Sequence, residues 1–97
     1  MTIELKITFI HEVSNIENDN IDINIEYNGK RYFGTVFTLA NINKLMSKDA
    51  DNPKGNYFWA SNMLIVNKLN KDIVKESIVD LINDKQFYNV FEEIDIL

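Results

Sequence analysis

Apolar and polar residues alternate at several places along this chain, and the alternation predicts strands. Ile3, Leu5, Ile7 and Phe9 are spaced two apart, which predicts a strand over 3–10. Asn28-Gly29 follows a second alternating run and is a strong signal for a two-residue hairpin, because both residues tolerate the positive φ of a type I′ turn. Counting outward from it pairs Tyr27 with Lys30, Ile25 with Tyr32, Ile23 with Gly34 and Ile21 with Val36, a nearly continuous apolar face. The opposite face reads Glu26 with Arg31, Asn24 with Phe33 and Asp22 with Thr35, followed by Phe37. The hairpin strands therefore cover 21–27 and 30–37, with Phe33 and Phe37 on the polar side.

A helical period follows. Thr38 is placed to cap a helix whose one face carries Leu39, Ile42, Leu45 and Met46. A loop around Pro53 comes next, matched earlier in the chain by a polar connection over 11–20. Residues 57–67 are apolar at nearly every position, with Tyr57, Trp59, Met63 and Ile65 on one face and Phe58, Ala60, Leu64 and Val66 on the other. One bent or bulged strand covered on both sides accounts for this pattern better than a hairpin turning at Ser61-Asn62. Asn70 caps the strongest helix, 71–83, with Ile73, Val74, Ile78, Leu81 and Ile82 as its core stripe. Phe87, Val90, Phe91 and Ile94 have the spacing of a short amphipathic helix. The order β-β-β-α-β-α-α predicts an α+β fold: a mainly antiparallel sheet of four or five strands with helices packed on it. The 97 residues suffice for a single domain over the whole chain, 1–97.

Composition narrows the chemistry. There is no cysteine, so disulfides, zinc-thiolate sites and thiol nucleophiles are excluded. The chain opens as a strand rather than as a charged-then-apolar leader, and no apolar run approaches the ~18 residues of a membrane span. The expectation is a cytoplasmic protein with no membrane partner. Lysine outnumbers arginine nine to one, and asparagine and isoleucine each occur fourteen times, a bias expected of an AT-rich genome such as that of a low-GC bacterium or its phage. The net charge of −5 is unevenly spread, as −5 over residues 1–26, +5 over 27–71 and −5 over 72–97. Overall acidity argues against a nucleic-acid partner.

No catalytic constellation can be assembled. His11 stands beside Glu12 and three residues before Ser14, without the glycines of a nucleophile elbow, and is expected to be an ordinary surface histidine. Asp49, Asp51 and Asn52 resemble the opening of a calcium loop, but Pro53 and Ala60 occupy positions where ligands are required. The three glycines are too far apart for a phosphate loop. No cofactor or metal is expected. Tyr57-Phe58-Trp59 lacks the interleaved basic residues of a base-stacking platform, so core packing is the expected role.

Two features suggest a surface for a partner. Asp72, Glu76, Asp80 and Asp84 recur every four residues on the strongest helix and form one slanting acidic stripe, which is either a solvated face or a contact for a basic protein. Phe33 and Phe37 need a cover, since burying each is worth about 1.5–3 kcal/mol. Three covers are open: the terminal segment through Phe87, Phe91 and Ile94, a second copy in a homodimer, or another protein. The terminal segment is preferred, because 57–66 also demands packing on both sides. The chain is therefore expected to be a small protein–protein interaction module, of the inhibitor, immunity-type or regulatory-adaptor kind. The alternative is a small-ligand-binding or enzyme-accessory domain with a pocket lined by Tyr27, Tyr32, Tyr57 and Trp59.

Overall fold

The computed structural model describes residues 4–47 and 57–94, and the Asp49–Asn52 and Pro53 features fall outside them. The elements are β1 (Leu5–Phe9), β2 (Asn20–Tyr27), β3 (Lys30–Thr38), α1 (Leu39–Leu45), β4 (Met63–Val66), α2 (Lys71–Asn83), α3 (Phe87–Val90) and β5 (Glu92–Glu93). They make an α+β fold in which a five-stranded mixed sheet runs β1-β2-β3-β4, with β5 also paired to β3.

The hairpin forms as the turn dictates. Asn28 and Gly29 sit at φ 54° and 75°, the left-handed values that a type I′ turn needs at both positions. The β2–β3 register follows residue for residue, from Tyr27↔Lys30 to Ile21↔Val36. β1 joins the other side of β2, antiparallel, with Ile7 opposite Ile25.

The outer edge of β3 is shared by two strands end to end. β4 pairs with it in parallel from Thr35↔Met63 to Thr38↔Val66, and β5 pairs antiparallel through Tyr32↔Glu93 and Phe33↔Glu92. Gly34 lies at the junction. A Cβ there would overlap the Phe91 ring, and it would also meet Asn62 O at 3.2 Å. The missing side chain is what lets the Phe91 ring approach β3 closely as the chain passes from α3 into β5.

The core lies on one face of the sheet. Ile21, Ile23, Ile25, Tyr32 and Val36 face Val74 and Ile78 of α2, and Phe87 and Phe91 close the cluster. Asn70 caps α2 as expected, its Oδ1 accepting the backbone N–H of Asp72 at 2.7 Å and of Ile73 at 3.4 Å.

Three expectations are corrected here. Phe87 and Phe91 belong to the isoleucine face and not to the face bearing Phe33 and Phe37, so the terminal segment does not cover those two. The terminal helix is shorter than its spacing suggests: α3 ends at Val90, Phe91 is extended (φ −111°, ψ 134°), and Ile94 donates its N–H to Arg31 O at 2.8 Å. Residues 57–60 are not a strand; the chain turns at Ser61-Asn62, where Asn62 takes φ 52°, and β4 begins only at Met63. An αL asparagine breaks the extended run, and uniform apolarity conceals the break.

The connection from β1 to β2 is anchored on Thr38. Its Oγ1 accepts the N–H of Asn41 (3.1 Å), capping α1, and also the N–H of Asp19 (3.3 Å). Asn20 Nδ2 donates to Asn41 Oδ1 at 2.8 Å, so the loop and the helix are tied side by side. Burial would push the Asp19 carboxyl up, but hydrogen bonds from the backbone N–H groups of Asn20, Ser14 and Asn15, with His11 nearby, hold it below its ordinary value. Because the folded pKa is lower than the unfolded one, the stabilisation from Asp19 is present above the unfolded pKa of about 4 and is lost as the pH falls through the folded value. Asp19→Asn is therefore expected to flatten the stability profile in that acid range. Urea titrations at a series of pH values check this; identical acid slopes in the two proteins would refute it.

Candidate interaction site

The second face of the sheet is built differently along its width. Toward the β1 side it carries an ion ladder across three strands: Lys6 Nζ lies 3.8 Å from Glu26 Oε2, and Arg31 Nε lies 3.7 Å from Glu26 Oε1. These pairs follow from the register, in which Glu26 is opposite both Lys6 and Arg31. The pairs are exposed, so they shape a polar surface and contribute little stability.

Toward β4 the same face is apolar. Phe37 is only 6% exposed, and its ring meets that of Phe58 edge-on, with centroids 5.0 Å apart and planes at 74°. The cover for Phe37 is thus Phe58, brought back over β3 by the turn at Ser61-Asn62, where Asn62 O accepts the N–H of Thr35 at 3.0 Å. With Phe58 turned inward, its neighbours point out: Tyr57 is 70% and Trp59 74% exposed. Ile65, opposite Phe37 on β4, is 48% exposed. Phe33 is half-buried on the same face. Exposed aromatic and aliphatic residues thus adjoin, in sequence or in register, a pair made of buried Phe37 and half-buried Phe58.

The acidic stripe is elsewhere. Asp72, Glu76, Asp80 and Asp84 are all exposed on α2, or at its C-cap, and none forms an ion pair among the described residues. Because α2 packs on the isoleucine face, these carboxylates and the pair Phe33 and Phe37 lie on opposite sides of the sheet. They do not form one surface.

The four aromatic residues expected to line a pocket are also separated. Tyr27 and Tyr32 pack edge-on to Phe87, with centroids 5.1 and 4.9 Å away, on the core side. Tyr32 is buried, and burial and the Tyr88 hydroxyl push its phenol up to about 12. Tyr57 and Trp59 are exposed on either side of Phe58 in sequence, and Phe58 packs on the second face. His11, Glu12 and Ser14 do not converge either: the His11 ring contacts its neighbour's carbonyl, and Ser14 N–H donates to Asp19. Among the described residues, no group of three or more histidine or carboxylate side chains is gathered as a metal site would require.

Sequence patterning missed Trp59 and Ile65 as surface residues, because both looked like one face of a continuous strand. The Ser61-Asn62 pair carried the signal, since a turn there detaches 57–60 from the sheet. No helix among the described residues is long and apolar enough to cross a membrane. Compared with known proteins, the chain matches no family model, no curated protein and no solved structure.

Proposed function

We propose that this chain is a non-enzymatic interaction module, of the inhibitor, immunity-type or regulatory-adaptor kind, that binds a partner protein through the second face of its sheet. The observation that carries this reading is Trp59, 74% exposed next in sequence to Phe58, whose ring packs edge-on to Phe37 of the second face. Tryptophan anchored on a rigid apolar base is the residue type that dominates binding energy at protein interfaces. The Lys6–Glu26–Arg31 ladder on the same face supplies the kind of polar rim that surrounds such anchors. The α2 carboxylates, on the opposite side, take no part in this contact.

The test compares the native protein with Trp59→Ala, as immobilised bait. Exposed at this level, the side chain contributes within about 0.5 kcal/mol to folding, so the melting curves should coincide. Binding should weaken by at least about 30-fold, the effect of losing a hot spot worth about 2 kcal/mol. Trp59 is also the only tryptophan, so its emission should shift to shorter wavelength when the partner binds. Asp80→Asn should leave capture unchanged. If native and Trp59→Ala baits retain the same proteins equally, the proposal is wrong. If sedimentation shows that the native protein pairs with itself while Trp59→Ala does not, the partner is a second copy.

A further inference from the structure

The opposite edge of the sheet has its own docking geometry, independent of the Trp59 surface. β1 is paired on one side only; among the described residues no strand joins its outer edge. The N–H of Ile10 donates to Asp22 O at 3.1 Å, which marks Ile10 and Asp22 as a hydrogen-bonded pair of the β1–β2 ladder. Alternation then assigns Lys6–Glu26 and Thr8–Asn24 to the bonded pairs, and turns the backbone N–H and C=O groups of Leu5, Ile7 and Phe9 outward. The same three residues send their side chains to the core face, half-buried.

A groove follows that edge beneath α2. Its first part, about 270 Å³, is lined by Leu5, Ile7 and Phe9 with Lys71, Asp72 and Lys75 above them. It adjoins a wider part, about 560 Å³, that shares Phe9 and Lys71 and continues over Val13 and Leu69. Lys71 Nζ sits 5.6 Å from the centre of the Phe9 ring. Residues four apart on a helix drift by only ~40°, so Lys71 and Lys75 share the flank of α2 that overhangs β1. Glu76, Asp80 and Asp84 fall on the far flank, which leaves Asp72 as the acidic residue of α2 that lines the groove. Neither lysine is ion-paired among the described residues. In a chain of net charge −5, the narrower part of the groove sets Lys71 and Lys75 against the single acid Asp72 above an apolar floor, while Glu12 lies in the wider part.

From this we infer that β1 accepts an extended acidic–apolar peptide segment of a partner as an added sheet strand. The backbone groups of Leu5, Ile7 and Phe9 hydrogen-bond the segment, its apolar side chains lie over the groove floor, and its carboxylates reach Lys71 and Lys75. Charge also selects between occupants. A second copy paired antiparallel through β1 would bring its own Lys71 and Lys75 to the same side of the joined sheet, setting ammonium groups against each other. An acidic segment has no such penalty.

The probe is a capped synthetic peptide of valine and glutamate, compared with its counterpart carrying lysine in place of glutamate, at low ionic strength. Addition of the glutamate peptide should slow hydrogen exchange at the amides of Leu5, Ile7 and Phe9, and N-methylating alternate peptide bonds should abolish the effect. The double variant Lys71→Glu/Lys75→Glu should bind the glutamate peptide about tenfold more weakly, the effect expected when two exposed ion pairs become repulsive. Both lysines are exposed, and an acid at position 71 suits the first turn of the helix, so the melting curve of the variant should stay cooperative. Three results would overturn the inference. The first is equal binding of the two peptides. The second is unchanged exchange at Leu5, Ile7 and Phe9, which would make Lys71 only a guard on a closed edge. The third is protection of those amides that rises with protein concentration alone, which would make the occupant a second copy.

Discussion

Phe87→Ala is expected to lower the free energy of unfolding by about 3–5 kcal/mol, the range for emptying a buried phenylalanine site. Phe87 is 1% exposed and touches four other rings: Tyr27 and Tyr32 from the sheet, Tyr88 beside it, and Phe91 at 5.2 Å. It is the point at which the C-terminal segment is fixed to the hairpin. Removal leaves a cavity between rigid elements that cannot close in from both sides, so the penalty includes lost contacts as well as lost transfer energy. Against a total stability of about 5–15 kcal/mol, that is a large share. Urea unfolding followed by circular dichroism measures it, with the m-value expected to stay constant. Phe87→Leu should recover more than half of the loss, since it restores most of the buried volume. A Phe87→Ala loss below about 0.5 kcal/mol, within the range of surface substitutions, would mean that the aromatic cluster does not hold the C-terminal segment.

Gly34→Ala comes second, through crowding instead of a void. The added methyl would overlap the Phe91 ring, which is 2% exposed and enclosed by the core. Alanine has no conformational objection to an extended strand, so any penalty is steric. Either the β3 backbone shifts, at about 1–3 kcal/mol for overpacking, or Phe91 swings out and forfeits a similar burial energy. Melting and urea curves of the single variant check the size. The cause is checked by a second change: Phe91→Ala is destabilising alone, yet adding Gly34→Ala to it should cost almost nothing. The coupling energy of the pair should therefore exceed about 1 kcal/mol. Strict additivity would show that the two residues do not meet.

The hairpin was legible because its information is local. Asn28-Gly29 sets the turn, the turn sets the register, and the register names the partner of every strand residue from Asn20 to Tyr27 and from Lys30 to Phe37. Thr38 and Asn70 were legible as caps for a similar reason: each bonds backbone groups two or three residues away. The sheet order beyond the hairpin was not. The apolar period of Phe87, Phe91 and Ile94 indicates that one side is buried, but not which sheet face receives it. Nor does a period reveal that β4 runs parallel to β3, since that depends on where the chain re-enters after α1. The candidate surface was half legible. Phe33 and Phe37 were rightly placed on the second face, whereas Trp59 was hidden in an apolar run whose turn looked like part of a strand.

The sharing of β3's outer edge by β4 and β5 imposes an order of assembly. During synthesis β1 and the hairpin emerge before β4 and β5 and can pair at once, since their contacts are close in sequence. The half of the β3 edge at Tyr32 and Phe33 waits for Glu92 and Glu93, and the space above Gly34 waits for Phe91. Until then a nascent chain presents unpaired strand backbone beside an open apolar slot, the kind of surface on which unfinished chains associate wrongly. β5, only two residues long and later in the chain than the strand it joins, thus closes the β3 edge against such association.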